Sequence, residues 1–264
     1  MAGRGEQPEE RGGAKRARKI GIILMALLVL GFVAVALKAN AWKYELPISG
    51  VRVEGTAIVG TPEILRLAAI PKGEKLFTVD LGAVRERIKK NPYLRLVSVN
   101  RQGPEGISIG VVERQPVAIL VADPLLYLDE EGTVLPPARS ENLFDLPVIT
   151  GAFPASDCVP GKRVTTEGLH NAIRLLVSSR EIGDELFRRI SEVQVLEGGE
   201  LMLHTAEGGV PVLVGRDQFG AKLVKFDGFW REIVDRRGPQ RLQQVDLRFE
   251  DQVVVRWNGN AAPR

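Results

Sequence analysis

Apolar and polar positions fall into three regimes along this chain: one unbroken apolar run, then two stretches in which short alternating segments mix with helical spacings. Residues 20–37 are 18 consecutive residues without a charge. As a helix they would cover about 27 Å, close to the ~30 Å hydrocarbon core of a bilayer. Arg16, Arg18 and Lys19 precede the run, and Lys38, Trp42, Lys43 and Tyr44 follow it. Basic flanks stay in the cytoplasm and Trp and Tyr settle among headgroups, so the pattern predicts a single-pass protein with residues 1–19 as a cytoplasmic tail and the rest outside. Ala39-Asn40-Ala41 would also suit a signal-peptide cleavage site. The apolar region of a signal peptide is about 7–15 residues, however, and this longer run reads as a retained anchor.

A linker, residues 38–47, leads into the second regime, residues 48–116. Val51 and Val53 alternate with Arg52 and Glu54 and stop at Gly55, which predicts a half-buried strand. Thr61-Pro62-Glu63 reads as a hydroxyl-capped helix start, with Ile64, Leu65, Ala68 and Ala69 on its apolar face. Asp80 caps a second helix carrying Leu81, Val84 and Ile88 until Asn91-Pro92 breaks the pattern. Residues 94–101 and 107–112 alternate as strands about a turn at 103–106. A small sheet with two helices on one face would bury every one of these stripes.

The third regime, residues 117–264, is mostly strand. A hairpin is predicted from 126–128 and 133–135 around the polar tip Asp129-Glu130-Glu131-Gly132, with a short strand at 146–149. Thr165 or Thr166 caps a helix bearing Leu169, Ile173 and Leu176; Asp217 caps another with Phe219, Leu223, Phe226, Trp230 and Ile233 on one stripe. Three strands around Val193, Leu201 and Val212 lie between these helices, and Val245, Leu247 and Phe249 face Val253, Val255 and Trp257 in a closing pair. The fold class is α+β: one membrane helix, a β-α-α-β-β domain, and a second mostly-β domain with two helices.

Charge and chemistry narrow the function. The net charge of +3 comes from the tail, whose six basic and three acidic residues leave 30 of each sign beyond it. A neutral exterior gives no electrostatic footprint for nucleic acid. Cys158 is the one cysteine, so no intrachain disulfide forms. It reads as a buried or incidental thiol. His170 and His204 lack a second ligand at metal spacing and read as solvated side chains. Ser156, Ser178 and Ser179 sit outside any nucleophile elbow, and Glu197-Gly198-Gly199-Glu200 is a hairpin turn without the Lys-Ser/Thr of a phosphate loop. Neither a catalytic residue nor a cofactor is predicted. The physical candidate is instead the last strand, 252–257: at a sheet edge, its free N–H and C=O groups would pair with a strand from another protein.

Several segments together resemble one family. Val51-Arg52-Val53-Glu54-Gly55, Leu76-Phe77-Thr78-Val79-Asp80, Asn91-Pro92-Tyr93, the stretch ISIGVVERQPVA at 107–118, and the closing residues 244–249 and 253–256 occur in the order seen in the bacterial division proteins of the FtsQ/DivIB family. Tyr93 stands where that family often has Trp, a change expected to matter little to packing. The resemblance implies that the first domain is POTRA-like and serves recruitment. It also implies that the protein is a non-catalytic scaffold of the division complex, in the cell inner membrane at the septum with both domains periplasmic. The second domain would bind an FtsB/FtsL-type partner, FtsB adding a strand at Gln252, Val253, Val254, Val255, Arg256 and Trp257, with Arg248 and Phe249 beside them. Glu113 and Arg114 are either recruitment contacts or a hinge pair fixing the interdomain angle. A POTRA-bearing component of outer-membrane assembly or secretion, and a membrane-anchored cell-wall enzyme, stay open as alternatives.

Overall fold

A computed structural model describes residues 10–42, 45–103, 106–137, 144–151 and 153–258. Helix α1 runs from Glu10–Trp42, and within it residues 18–38 hold an 18-residue window of mean hydropathy 3.0, long and apolar enough to cross a membrane. The apolar side chains from Ile20 to Leu37 are exposed and find no cover among the described residues. The helix is longer than the apolar run predicts: Glu10 to Lys19, expected to be tail, and Lys38 to Trp42, expected to be linker, are helical. Ala, Lys and Arg dominate both flanks, and such residues extend a helix once it is nucleated. Residues 1–9 of the tail and Lys43-Tyr44 lie outside the described residues.

The membrane-proximal unit comprises β1 (Gly50–Glu54), α2 (Thr61–Ala68), α3 (Leu81–Ile88), β2 (Leu94–Gln102) and β3 (Gly106–Glu113). Its sheet has the order β1-β3-β2, with β1 parallel and β2 antiparallel to the central β3. Ile107, Ile109 and Val111 point from β3 into a core completed by Ile64, Ala68, Val84 and Ile88 from the helices. Asp80 caps α3 as expected, accepting from the Ala83 amide at 3.0 Å. The α2 cap differs: Gly60 holds the cap position and Thr61 is already helical. The apolar face of α2 is also narrower than predicted, because Leu65 is exposed and Ala69 adopts the left-handed conformation that ends the helix. Gly55 closes β1 at φ +88°, where a Cβ would stand 2.1 Å from the Val111 carbonyl oxygen, so any side chain there would force β1 and β3 apart.

The second unit is built on a nine-stranded sheet. In chain order come β4 (Pro116–Leu120), β5 (Leu126–Asp129), β6 (Val134–Leu135), β7 (Val148–Gly151), α4 (Glu167–Ile182), α5 (Asp184–Arg188), β8 (Ile190–Val195), β9 (Leu201–Thr205), β10 (Pro211–Gly215), α6 (Phe219–Phe229), α7 (Asp235–Arg237), β11 (Leu242–Asp246) and β12 (Val254–Trp257). The spatial order is β12-β11-β10-β9-β8-β7-β4-β5-β6. Pro116 opens β4, a position that needs no ladder N–H. Leu169, Ile173 and Leu176 of α4 and Phe219, Leu223, Phe226 and Trp230 on the α6 side bury one face of the sheet. Beyond α6 the helix widens to π geometry over Trp230–Val234. The extra residue rotates the stripe by one position, so Val234 is buried where Ile233 was expected. The short α5 was not anticipated.

Local caps in this unit are tertiary. Thr166 is at the α4 cap position, but both Thr165 and Thr166 donate hydroxyl and amide hydrogens to the Asp157 carboxylate. Gln218, in a left-handed conformation, occupies the α6 cap, and Asp217 instead pairs with Lys222 Nζ at 3.0 Å.

Candidate partner-binding edge

The nine-stranded sheet has two outer strands, and they differ in kind. At one end Val134 of β6 donates to Lys162 O and accepts from Gly161 N–H, each at 2.8 Å, so a loop covers that edge. At the other end β12 has a single ladder neighbour, β11, to which it pairs antiparallel with Val245 opposite Val255 and Asp246 opposite Val254. Among the described residues nothing pairs with the second side of β12, and half of its main-chain N–H and C=O groups face outward.

Alternation places the side chains as expected. Val253, Val255 and Trp257 are half-buried and pack on the sheet core, whereas Val254 and Arg256 are exposed, Val254 by 40%. Gln252 and Val253 precede the strand rather than belong to it. Phe249 is not a strand residue either: β11 ends at Asp246, Leu247 is buried, and Phe249 lies in the turn, 47% exposed. Asp246 accounts for the early end of the strand. Its carboxylate accepts from the Arg248 amide at 3.0 Å and from Arg248 Nη2 at 2.7 Å, and this local bonding bends the chain out of the ladder. The Arg248 guanidinium holds the Asp246 carboxyl below its usual range. Arg248 thus enters the edge already engaged, with Glu200 a further 3.8 Å contact.

Glu113 and Arg114 do not pair with each other. The buried Glu113 carboxylate accepts from the amides of Ala57, Ile58 and Val59 at 3.0, 2.6 and 2.8 Å and ties the loop after β1 to β3. Arg114 turns the other way, to Asp129 at 2.7 Å and Glu131 at 3.1 Å on the β5–β6 tip, while its amide donates to Tyr93 O. The polar tip of the hairpin therefore also acts as a clasp between the two units. Tyr93 joins them too: its hydroxyl donates to Pro136 O at 2.7 Å, a contact that an indole at this position would have to make differently. Burial raises the Tyr93 phenol well above its ordinary pKa. His204 is half-buried beside Glu192 at 3.9 Å rather than solvated.

A family model described as "POTRA domain, FtsQ-type" matches residues 46–114, and one described as "FtsQ/DivIB, C-terminal related" matches residues 115–255. This chain belongs to the FtsQ/DivIB family. The cell division protein FtsQ of Geobacter sp. (strain M21) is 33% identical over 211 residues, 80% of this chain and 76% of that protein. That of Rhodothermus marinus is 31% identical over 258 residues, covering 94% and 90%, and that of Syntrophotalea carbinolica 32% over 238 residues, covering 88% and 83%. Membership in the FtsQ/DivIB family supports a role in cell division and places the membrane-proximal unit in the FtsQ type of POTRA domain. It also moves the chain away from the outer-membrane assembly reading. Within this framework sequence reasoning found the edge strand but missed the residues that hold it, Asp246 among them. The only sequence signal for that bond is the Asp-x-Arg spacing after β11.

Proposed function

We propose that this chain is a non-catalytic, membrane-anchored scaffold of the division complex that captures an FtsB/FtsL-type partner by strand addition to β12. The observation that carries the reading is the free side of β12, the one long-sheet edge that no other part of the described chain covers. An added strand would extend the ladder, and its alternate side chains would continue the half-buried row of Val253, Val255 and Trp257. Val254 and Arg256 line the opposite face, and Arg248, Phe249 and Gln252 flank the entry. The apolar stretch of α1 supports a retained single-pass anchor, with an inward amino terminus and both units on the outer side of the inner membrane at the septum.

The POTRA-type unit is the recruiting platform for other division proteins in this reading. Glu113 and Arg114 serve it structurally, as the two halves of the junction. The test of the whole reading is Val254→Pro in the full-length protein held in nanodiscs. Proline deletes an N–H and fixes φ near −65°, so capture of the FtsB–FtsL pair should fall at least about thirtyfold. Capture at the unsubstituted level would contradict strand addition. Arg114→Met should leave capture intact but lower the unfolding midpoint, since it takes the cation away from the Asp129 carboxylate, in a residue 2% exposed, and leaves it only the Glu131 and Thr133 amides.

A further inference from the structure

We infer that Lys225, on α6 and outside the closing strand pair, is a positioning residue that holds β12 ready for a partner strand; this rests on the strand-addition reading. The segment between β11 and β12 turns through residues 247–253. Its entry is fixed by the Leu247 amide, which donates to Leu213 O at 2.8 Å, and by the Asp246–Arg248 pair. From Phe249 to Val253, among the described residues, the hydrogen bonds come from one side chain. Lys225 Nζ donates to Phe249 O at 3.4 Å and, more closely, to Glu250 O.

The helix that carries that ammonium is itself tied to the sheet. Three residues earlier on α6, the buried Lys222 donates to Val214 O at 2.9 Å and to Asp217 at 3.0 Å, which locks the helix to the end of β10. Gly215, at φ +86°, leaves room there: its missing Cβ would lie 3.4 Å from Arg248 Cγ and 3.5 Å from Lys222 Nζ. Helix α6, β10 and the turn therefore meet at one point, and Lys225 transmits the position of the helix to the turn.

The consequence is quantitative. β12 is four residues long with one ladder neighbour, so it is inclined to fray. A partner binds only molecules in which the strand is formed, and apparent affinity falls in proportion to that fraction. Removing the two-carbonyl anchor should weaken capture roughly three- to tenfold, since charge-assisted bonds at a half-exposed site count for less than buried ones.

The experiment compares Lys225→Met, which keeps the stem without donors, with Lys225→Arg, which keeps donors, and with Val254→Pro, all in the full-length chain. The probe is the soluble FtsB–FtsL pair of the same bacterium. Lys225→Met should bind about three- to tenfold more weakly and speed amide exchange in residues 249–255 of the free protein, with an unchanged unfolding midpoint. Lys225→Arg should restore both. Full affinity in Lys225→Met, or equal loss in Lys225→Arg, overturns the inference. If Val254→Pro loses binding while Lys225→Met does not, only Lys225 is misassigned. If Val254→Pro also binds fully, the strand-addition reading fails with it.

Discussion

The two ends of the nine-stranded sheet solve the same physical problem in opposite ways. Strand β6 is two residues long, and its side chains are shared: Val134 enters the core of its own sheet and Leu135 the core of the POTRA-type unit. Its outward backbone is bonded by residues 161 and 162, and Thr133 bridges Arg163. Among the described residues, strand β12 is left with a bare backbone row and exposed Val254. Proteins blunt sheet edges because open ones recruit other chains. Here one edge is consumed in joining the two units, while the other, among the described residues, is left open. The contrast teaches that openness at β12 is selective within one sheet.

The largest expected effect is at the sealed end. Leu135→Ala deletes a side chain with no solvent exposure, contributed by one unit to the core of the other, and should cost about 2–5 kcal/mol of stability. Urea unfolding measures it, and capture per folded molecule should be unchanged. A loss of capture equal to that of Val254→Pro would mean the two ends are not independent.

Next comes Asp157, which closes the covering loop by accepting two hydroxyl and two amide hydrogens from Thr165 and Thr166. Asp157→Ala should cost about 2–3 kcal/mol. Burial pushes this carboxyl up, but those four bonds outweigh burial and leave it below its ordinary value of 3.8. The folded state therefore binds fewer protons than the unfolded state between the two values. The stabilisation is complete above the ordinary value and is lost as pH falls through the lowered one. Acid should loosen the loop over β6, as amide exchange at residues 159–166 would show. The smallest effect belongs to Arg256→Ala, on the exposed face of the open edge. Its stability should stay within about 0.5 kcal/mol, and any loss of capture would report direct contact with the partner.

Much of this was legible in the sequence because the signals were periodic. The long apolar helix, the β-α-α-β-β order and the alternation of Val253 to Trp257 follow from spacing alone. What spacing does not encode is which distant group completes a local bond. Thr165, Thr166 and Asp217 look like helix caps, yet the threonines serve Asp157 and Asp217 serves Lys222. Glu113 and Arg114 look like neighbours in one ion pair, yet Glu113 ends β3 and bonds the loop after β1, while Arg114, in the connector beyond the strand, bonds the β5–β6 tip. Phe249 fits the alternation of β11, but an Asp246–Arg248 bond ends the strand before it. Ile233 fits the helical stripe until a π turn shifts the register. In each case a single polar contact or one inserted residue overrode a pattern that was otherwise right.

Amide exchange of the full-length protein, with and without the soluble FtsB–FtsL pair, tests the central claim most directly. Strand addition predicts that the outward amides of residues 253–257 become strongly protected on binding, while those of Val134 and Leu135 keep the protection they already have. A bound complex in which residues 253–257 exchange as fast as in the free protein would contradict it.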